Sequence, residues 1–449
     1  MGADRLRFGT DGVRGRVGVD LDERDVEHLG VAVARQWPDV RIVVGHDGRE
    51  SGPALLAAFA RGVQSEGNLV VNAGLVPTPA LAYAAKARGC VAVAITASHN
   101  PWHDNGVKVF APGGSKLSDE TQQRIEALWH SGEWSEAASG DGATIRAGVN
   151  DAPSESNEVV DEYIAGMTST LGVAPFGDTK IVVDCANGAT SSVVRRITQL
   201  LGLDAEIRND TPNGRNINEG CGASHPDALA STCSQRGVVG IAFDGDGDRL
   251  IAVDELGHVV DGDRLIALSA LDMRRRGVLA HDTVVVTSMT NLGFHRAMRE
   301  QHIATITTDV GDRAVLAAME DGGFVLGGEQ SGHIINARYS TTGDGVLSAI
   351  LLLDLIRRSE STLSKLSASV MTRMPQVLRN VRVAKKPIDV ASLIADDLAR
   401  EHALLGDNGR IVVRTSGTEP LVRIMVEAES QTLADGVAAR LEQAVIART

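Results

Sequence analysis

Three β-rich runs, each followed by a turn and a helix-length stretch, restrict the folds open to this chain more than any other feature. Arg41-Ile42-Val43-Val44-Gly45 leads to a helix expected around Pro53 to Glu66, with Ser51 as its N-cap. Lys180-Ile181-Val182-Val183-Asp184 leads through Asn187-Gly188 to Ser191–Leu201, and Thr283-Val284-Val285-Val286-Thr287 leads through Asn291-Leu292-Gly293 to a helix ending near Gln301. A further β-rich run follows each helix, the pattern of βαβ units on mostly parallel sheets. The copies lie too far apart for a solenoid, and 449 residues exceed what one core fills. Three α/β domains are therefore expected. The last segment reads differently. Asn380–Val383, Arg410–Arg414 and Leu421–Glu427 are strands, and Thr432 to Ala447 is an amphipathic helix, which makes a small α+β cap.

Boundaries follow from composition. Ser131 to Asn157 is rich in Gly, Ser, Ala and Asp and reads as surface loop preceding a linker; a second boundary is expected just after Leu250–Asp254, and a third near Ser359–Thr372. The expected domains are 1–152, 153–254, 255–368 and 369–449, arranged around a central cleft. A net charge of −14 argues against non-specific binding to nucleic acid or to an anionic membrane. The start, Met1-Gly2-Ala3-Asp4-Arg5, carries no apolar core of a signal peptide, and the greasiest run, Val346 to Ile356, is short and contains Asp354. Cys90, Cys185, Cys221 and Cys233 have neither zinc spacing nor a CxxC pair, so a reducing cytoplasm is expected.

The chemistry concentrates in Asp244-Gly245-Asp246-Gly247-Asp248-Arg249, between two short apolar runs. In a regular strand Asp244 and Asp248 would lie about 13 Å apart, at roughly 3.3 Å per residue. One ion cannot bridge that span, so shared ligation requires the backbone to curl, which Gly245 and Gly247 permit. An all-oxygen, three-carboxylate site suits Mg²⁺, Mn²⁺ or Ca²⁺. A solvated acidic turn is one alternative. An EF-hand loop is another, with Glu255 at the twelfth position, but Arg249 stands where that loop turns on glycine and the flanks read as strands.

The other motifs are weaker singly. Thr96-Ala97-Ser98-His99-Asn100-Pro101 places Ser98 just past the carboxyl end of a strand, where ligands bind in open α/β sheets. On local sequence it is equally a Ser/Asn-Pro turn, and no GxSxG elbow surrounds Ser98. Lys108 lies close by, as a solvated lysine or as a source of a cation or proton. Gly327 to His333 brackets Glu329 and Ser331, which suit sugar hydroxyls or a plain turn. Arg414-Thr415-Ser416-Gly417-Thr418 combines hydroxyls, free N–H groups and a forked cation, as a phosphate cradle or a hairpin turn. Arg5, Arg7, Arg14 and Arg16 cluster near the N-terminus.

Taken together, the order and spacing of these motifs resemble the α-D-phosphohexomutase superfamily across nearly the whole chain. The phosphoserine loop resembles Thr96–Pro101, the metal loop Asp244–Arg249, the sugar loop Glu329–His333 and the phosphate loop Arg414–Pro420. Finer features resemble the branch acting on glucosamine phosphates: Phe8-Gly9-Thr10-Asp11-Gly12-Val13-Arg14-Gly15, Gln330 in the sugar loop, and Asn216-Ile217-Asn218 before Cys221-Gly222. Val310-Gly311-Asp312-Arg313, Thr342-Gly343-Asp344-Gly345, Pro375-Gln376 and Asn380-Val381 fit the same branch. Asp312-Arg313 stands where several hexose-phosphate relatives carry a histidine; Thr415 replaces a usual proline and Thr96 a more frequent serine.

The resemblance implies an isomerase that interconverts glucosamine 6-phosphate and glucosamine 1-phosphate through a 1,6-bisphosphate. Ser98 would be the phosphoserine and, with Asp244, Asp246 and Asp248, would hold Mg²⁺. Lys108, Arg249 and His333 would be catalytic, with Lys108 first for proton transfer. Arg14, Glu329, Ser331, Arg414, Ser416, Gly417, Thr418 and Arg423 would bind substrate. Glucosamine or glucose 1,6-bisphosphate would be the activator, the Ser359–Thr372 region the hinge of the fourth domain, and the assembly a monomer or homodimer. A phosphomannomutase/phosphoglucomutase and a catalytically silent sugar-phosphate binder remain as alternatives.

Overall fold

The computed structural model describes residues 6–9, 11–131, 153–171, 176–177, 179–383, 389–415 and 420–449. Four sheets follow one another along the chain. The first contains β1 (Val13–Arg16), β2 (Ile42–His46), β3 (Val70–Leu75), β4 (Val91–Ile95) and β5 (Asp104–Phe110), in the order β1-β5-β4-β2-β3. Strand β2 pairs in parallel with β3 and β4, while β5 runs antiparallel to β4 and β1. Period-two alternation sends Ile42 and Val44 to one face and Val43 to the other. Helices α1 (Glu23–Gln36), α2 (Gly52–Ser65) and α4 (Asp119–His130) cover the first face, and α3 (Thr78–Arg88) and α5 (Pro153–Leu171) the second.

The second sheet repeats that plan with β6 (Lys180–Asp184), β7 (Asp204–Arg208), β8 (Val239–Phe243), β9 (Leu250–Val253) and β10 (Val259–Val260), ordered β10-β9-β8-β6-β7. Its helices are α6 (Val194–Leu200) and α7 (Asp227–Arg236). The third has β11 (Thr283–Thr287), β12 (Ala304–Thr308), β13 (Leu326–Gly328) and β14 (Ile334–Asn336), ordered β12-β11-β13-β14. It carries α8 (Gly262–Arg275), α9 (Leu292–Glu300), α10 (Asp312–Gly322), α11 (Gly345–Ser359) and α12 (Leu363–Val370). The last sheet is antiparallel, β15 (Gln376–Arg382), β17 (Leu421–Glu427) and β16 (Arg410–Thr415) in that order, with α13 (Val390–Leu393), α14 (Ala395–Leu405) and α15 (Gln431–Arg448).

The first three sheets are mixed, each with a parallel centre and an antiparallel edge. The antiparallel returns matter because β4–β5 and β8–β9 carry the chemical loops or their partners. Strand β10 pairs with β9 and extends the second sheet to Val260, beyond the boundary expected after Asp254. Residues 132–152 of the expected surface loop lie outside the described residues, and Pro153 to Asn157 begin α5 instead of a loop.

Two further expectations change. Ser51 does not cap α2 through its side chain, because its backbone is already helical (φ −77°, ψ −12°). Its hydroxyl instead accepts a hydrogen bond from Asn105 Nδ2 at 2.9 Å. The Ser359–Thr372 region is not an open hinge, since α12 occupies it. Thr362 caps that helix, Leu363 and Val370 are buried in the main core, and Ser364 is tied to Glu255. That contact also removes Glu255 from any calcium-loop role. The connection to the last unit is the stretch 371–375, which has no regular secondary structure.

One apolar cluster runs continuously from Val43 and Tyr163 through Val183 and Phe243 to Val286 and Leu353, so the first three units share a core. The fourth has its own, built by Val422, Ile424 and Val426 against Val437, Leu441 and Val445. It joins the third unit through polar groups: Glu427, fully buried, accepts from Asn291 Nδ2 at 2.9 Å, and Arg410 Nη2 donates to the Thr290 carbonyl at 2.6 Å.

Tyr163 fastens α5 to the third unit. Its buried hydroxyl donates to Asp344 Oδ1 at 2.8 Å, the same oxygen that caps α11 through the Leu347 N–H at 2.9 Å. Burial pushes the Asp344 carboxyl up to about 6 against these donors. Tyr163→Phe keeps the ring and deletes one donor to a buried carboxyl. It should destabilise the three-unit body by about 1–3 kcal/mol in denaturant titration, and an unchanged midpoint would show that the contact contributes nothing.

Candidate active site

The turn between β8 and β9 curls as the glycines allow. Gly247 takes φ +75°, and a Cβ on Gly245 would stand 2.6 Å from the Ser98 carbonyl oxygen, so only glycine admits this approach. The result brings one oxygen each of Asp244, Asp246 and Asp248 within 4.8 Å of one another, all three residues buried. Asp246 Oδ2 accepts from Thr78 Oγ1 at 2.7 Å and from Lys108 Nζ at 2.8 Å, and Asp248 Oδ2 accepts from the same ammonium at 2.9 Å. The Oδ1 atoms of Asp246 and Asp248 are buried without a hydrogen-bond partner. Converging, unsatisfied, hard oxygen donors fit a divalent cation of the Mg²⁺ type.

Electrostatics separates the three acids. Burial, with the charges of Asp248 and Asp246 added, raises the Asp244 carboxyl well above the usual range. Burial acts the same way on Asp248, but Lys108 and His333 outweigh it and bring that carboxyl down to about 2. Lys108 is opposed by burial and held protonated by Asp11, Asp246 and Asp248, so its pKa rises well above the ordinary value. Asp11 Oδ2 lies 2.9 Å from Lys108 Nζ and is also paired with Arg14.

Ser98 faces this cluster from the end of β4. It is fully buried, and its hydroxyl donates to Asp244 Oδ2 at 2.6 Å. Its backbone adopts φ +51°, a left-handed conformation that costs a non-glycine residue about 1–3 kcal/mol. Thr96 makes that tolerable locally. Its Oγ1 accepts from the Ser98 N–H at 2.8 Å and donates to Asp47 Oδ2 at 2.7 Å, so the threonine supplies the hydroxyl a serine would.

Arg249 and His333 close the cluster from the other side. Arg249 Nε stands 4.0 Å from Asp244 Oδ2 and 3.9 Å from Asp248 Oδ1. Burial disfavours the guanidinium, yet these carboxylates raise its pKa. His333 Nε2 lies 3.6 Å from Asp312 Oδ2 and 4.0 Å from Asp248 Oδ2, and both its ring nitrogens lack a hydrogen-bond partner. Lys116 bridges Asp11 and Asp312, linking the first unit to the third across the cleft.

In the turn after β13, Glu329 Oε1 accepts from the Gly311 N–H at 3.1 Å, while Ser331 is exposed. Gln330 Nε2 donates to Asp263 Oδ2 at 3.2 Å. On the fourth sheet Arg414 and Arg423 stand directly opposite each other on β16 and β17. Burial and the Arg423 charge lower the Arg414 pKa, with Asp309 acting the other way. Two cations at one cross-strand position favour an anion between or above them. Ser416, Gly417 and Thr418 lie outside the described residues.

Ser98, the three acids, Lys108, Arg249, His333 and, through Asp11, Arg14 thus form one connected cluster. Glu329 borders it, and Arg414 with Arg423 occupies the separate fourth unit. Sequence reasoning passed over Asp47, Thr78, Lys116 and, above all, Arg49. The signal available was Asp47-Gly48-Arg49 directly after β2, at the carboxyl edge where Ser98 also lies.

Comparison with known proteins agrees unit by unit. The chain matches the phosphoglucomutase/phosphomannomutase alpha/beta/alpha domains I, II and III over residues 5–136, 161–257 and 261–374, and the C-terminal domain of that family over 378–444. A phosphoglucosamine mutase from Frankia alni is 44% identical over 98% of this chain and 97% of its own length. One from Bifidobacterium longum subsp. infantis is 42% identical over 98% of each. Among solved structures, a putative phosphomannomutase from Thermus thermophilus superposes with TM-score 0.79 at 22% identity, covering 99% of this chain and 100% of that one. Aspergillus fumigatus N-acetylphosphoglucosamine mutase, solved with GlcNAc-6P and magnesium, gives TM-score 0.67 at 20% identity over 99% and 96%. With four domain matches in order and full-length relatives above 40% identity, the chain belongs to the phosphoglucomutase/phosphomannomutase family, in its phosphoglucosamine mutase branch.

Proposed function

We propose that the chain interconverts glucosamine 6-phosphate and glucosamine 1-phosphate, with Ser98 carrying the transferable phosphoryl group. The observation that carries the mechanism is the 2.6 Å hydrogen bond from the Ser98 hydroxyl to Asp244, at the rim of a three-carboxylate site. The full-length phosphoglucosamine mutase relatives support the substrate. In the first half-reaction the C1 hydroxyl of glucosamine 6-phosphate attacks the phosphorus on Ser98. The new P–O bond forms at C1, the bond to Ser98 Oγ breaks, and the sugar proton leaves as Oγ takes one. In the second, Ser98 Oγ attacks the phosphorus at C6 of the bisphosphate and loses its proton, the bond from that phosphorus to the C6 oxygen breaks and the oxygen takes a proton, releasing glucosamine 1-phosphate and restoring the phosphoserine. The bisphosphate must turn over between the two steps.

Asp244, Asp246 and Asp248, with a phosphoryl oxygen on Ser98, would hold Mg²⁺, which supplies Lewis-acid stabilisation of the transferring group when bound. Three carboxylates and a phosphoryl of about −2 exceed one divalent ion by roughly −3. Lys108, Arg249 and Arg14 offset that excess and stabilise charge on the transferring phosphoryl. Lys108, held as an ammonium, is the first choice for proton transfer with the sugar hydroxyl, giving a proton to the sugar oxygen as it leaves phosphorus. His333, whose ring nitrogens have no hydrogen-bond partner beside the acids, is a second group placed to act in proton transfer. Glu329 and Ser331 grip sugar hydroxyls, and Arg414, Ser416, Gly417, Thr418 and Arg423 hold the phosphate that is not reacting. Glucosamine or glucose 1,6-bisphosphate recharges Ser98. Four buried, unlinked cysteines fit a reducing cytoplasm.

Intact-mass analysis of purified protein should show a fraction heavier by one phosphoryl group, mapping to Ser98. Glucosamine phosphate should have a higher kcat/KM than glucose or mannose phosphate. A preference for either hexose would assign another substrate within the family, and an adduct elsewhere would overturn the mechanism. Asp246→Asn keeps the shape and removes a charge, so Mg²⁺ affinity and turnover should fall together; full activity at low Mg²⁺ would exclude the triplet as the metal site. Arg414→Ala should raise KM about tenfold or more with little change in the rate of Ser98 phosphorylation by a bisphosphate. An unchanged KM would remove the fourth unit from phosphate binding.

A further inference from the structure

Arg49 is among the most completely buried large side chains of the protein, at 1% exposure, and its side-chain partners are Asp47 and backbone carbonyls, with no reacting or metal-ligating atom among them. Its donors nonetheless converge on one target. Nη2 donates to the carbonyl oxygens of Ser98 at 2.8 Å and Asn100 at 2.9 Å, and Nη1 to those of Asp104 at 2.9 Å and Pro101. Nε donates to Asp47 Oδ2 at 2.8 Å, and that carboxylate also takes the Thr96 hydroxyl. The guanidinium is spent on the backbone of one loop, the loop that carries Ser98 in a left-handed conformation.

A second hand reaches the same carbonyl from another unit. Asn218, buried and itself at φ +58°, donates from Nδ2 to the Ser98 oxygen at 2.9 Å and to the Asn100 oxygen at 3.3 Å. Gly245, between the first two metal-site acids, packs directly on that oxygen and on Asn218 Nδ2. The Ser98 carbonyl is therefore gripped by the first unit through Arg49 and by the second through Asn218. The second unit also supplies Asp244 to the hydroxyl of the same residue.

We infer that Arg49 and Asn218 are positioning residues for phosphoryl transfer, fixing the Ser98 backbone so that its Oγ meets the acidic triplet at the distance transfer requires. They act through Ser98 and touch no reacting atom. Lysine cannot replace Arg49, because three donors on one nitrogen cannot reach carbonyls spread along a loop from a planar fork. Displacing a reacting oxygen by about 1 Å costs on the order of 10²-fold in rate, whereas the sugar and phosphate grips lie elsewhere. The signature is a loss in kcat without a loss in substrate affinity.

This inference rests on the phosphoserine reading, and the experiment separates the two. Wild type, Arg49→Lys and Asn218→Ala are charged with glucose 1,6-bisphosphate, and phosphorylation of Ser98 is followed by intact mass beside steady-state kinetics, with rates referred to folded protein. The expected result is kcat lower by about 10²-fold in Arg49→Lys and about tenfold in Asn218→Ala, KM within about twofold, and slower charging of Ser98 in both. No adduct on wild-type Ser98 would take down the phosphoserine reading and this inference with it. Normal charging of wild type, with kcat within about twofold in a folded variant or a loss borne wholly by KM, would overturn the positioning role alone. Should Arg49→Lys not yield folded protein, Asn218→Ala decides, since it deletes one amide contributed from outside the Ser98 loop.

Discussion

Burying three carboxylates at one turn is the constraint around which the molecule is arranged. Each ion taken from water costs several kcal/mol unless it is paired and hydrogen-bonded. The compensating ammonium, Lys108, sits on β5 of the first sheet, while the acids sit between β8 and β9 of the second. Neither unit can bury its half alone. Thr78 and Ser98 add hydrogen bonds from the first unit to Asp246 and Asp244, so docking the two sheets and satisfying the acids are one event. The apolar cluster shared by the first three units supplies the rigidity that holds these charges at fixed separation. Asp246 Oδ1 and Asp248 Oδ1 stay without a hydrogen-bond partner, and they are the oxygens a divalent cation would use.

The fourth unit stands under a different rule. It presents a pair of arginines directly opposite each other on neighbouring strands, two like charges at one cross-strand position. Its junction with the third unit is polar and specific. Glu427, Arg410 and Asn291 fix the orientation by hydrogen bonds, without the broad apolar contact that welds the others together. In the proposed reaction the fourth unit grips and releases a phosphate while the bisphosphate turns over, which calls for an interface that can be remade.

Much of this was legible in the sequence because the signals were local. The acidic triplet with its glycines needs only a curled turn, and Ser98 at a strand end needs only the βαβ pattern. Both are found where expected. The misreadings share a cause, in that tertiary contacts decided them. Ser359–Thr372 is expected as a boundary and hinge, yet Leu363 and Val370 reach the common core and Glu255 ties the helix down. Ser51 looks like a cap but answers to Asn105, far along the chain. Arg49 offers only its place just after β2 as a signal, since its meaning lies in four carbonyls of a distant loop. Such partners are set by register between β2 and β4, which composition does not reveal.

The separate core of the fourth unit has a calorimetric consequence. Three units sharing one cluster should melt as a single cooperative block, whereas the last has its own apolar centre and can lose its structure at a different temperature. Heat absorption by such a chain is the sum of two transitions, not one, and no single free energy of unfolding describes it. A melting temperature read from the first transition then reports on whichever block fails first, and loss of the fourth unit leaves the buried acids of the second in place.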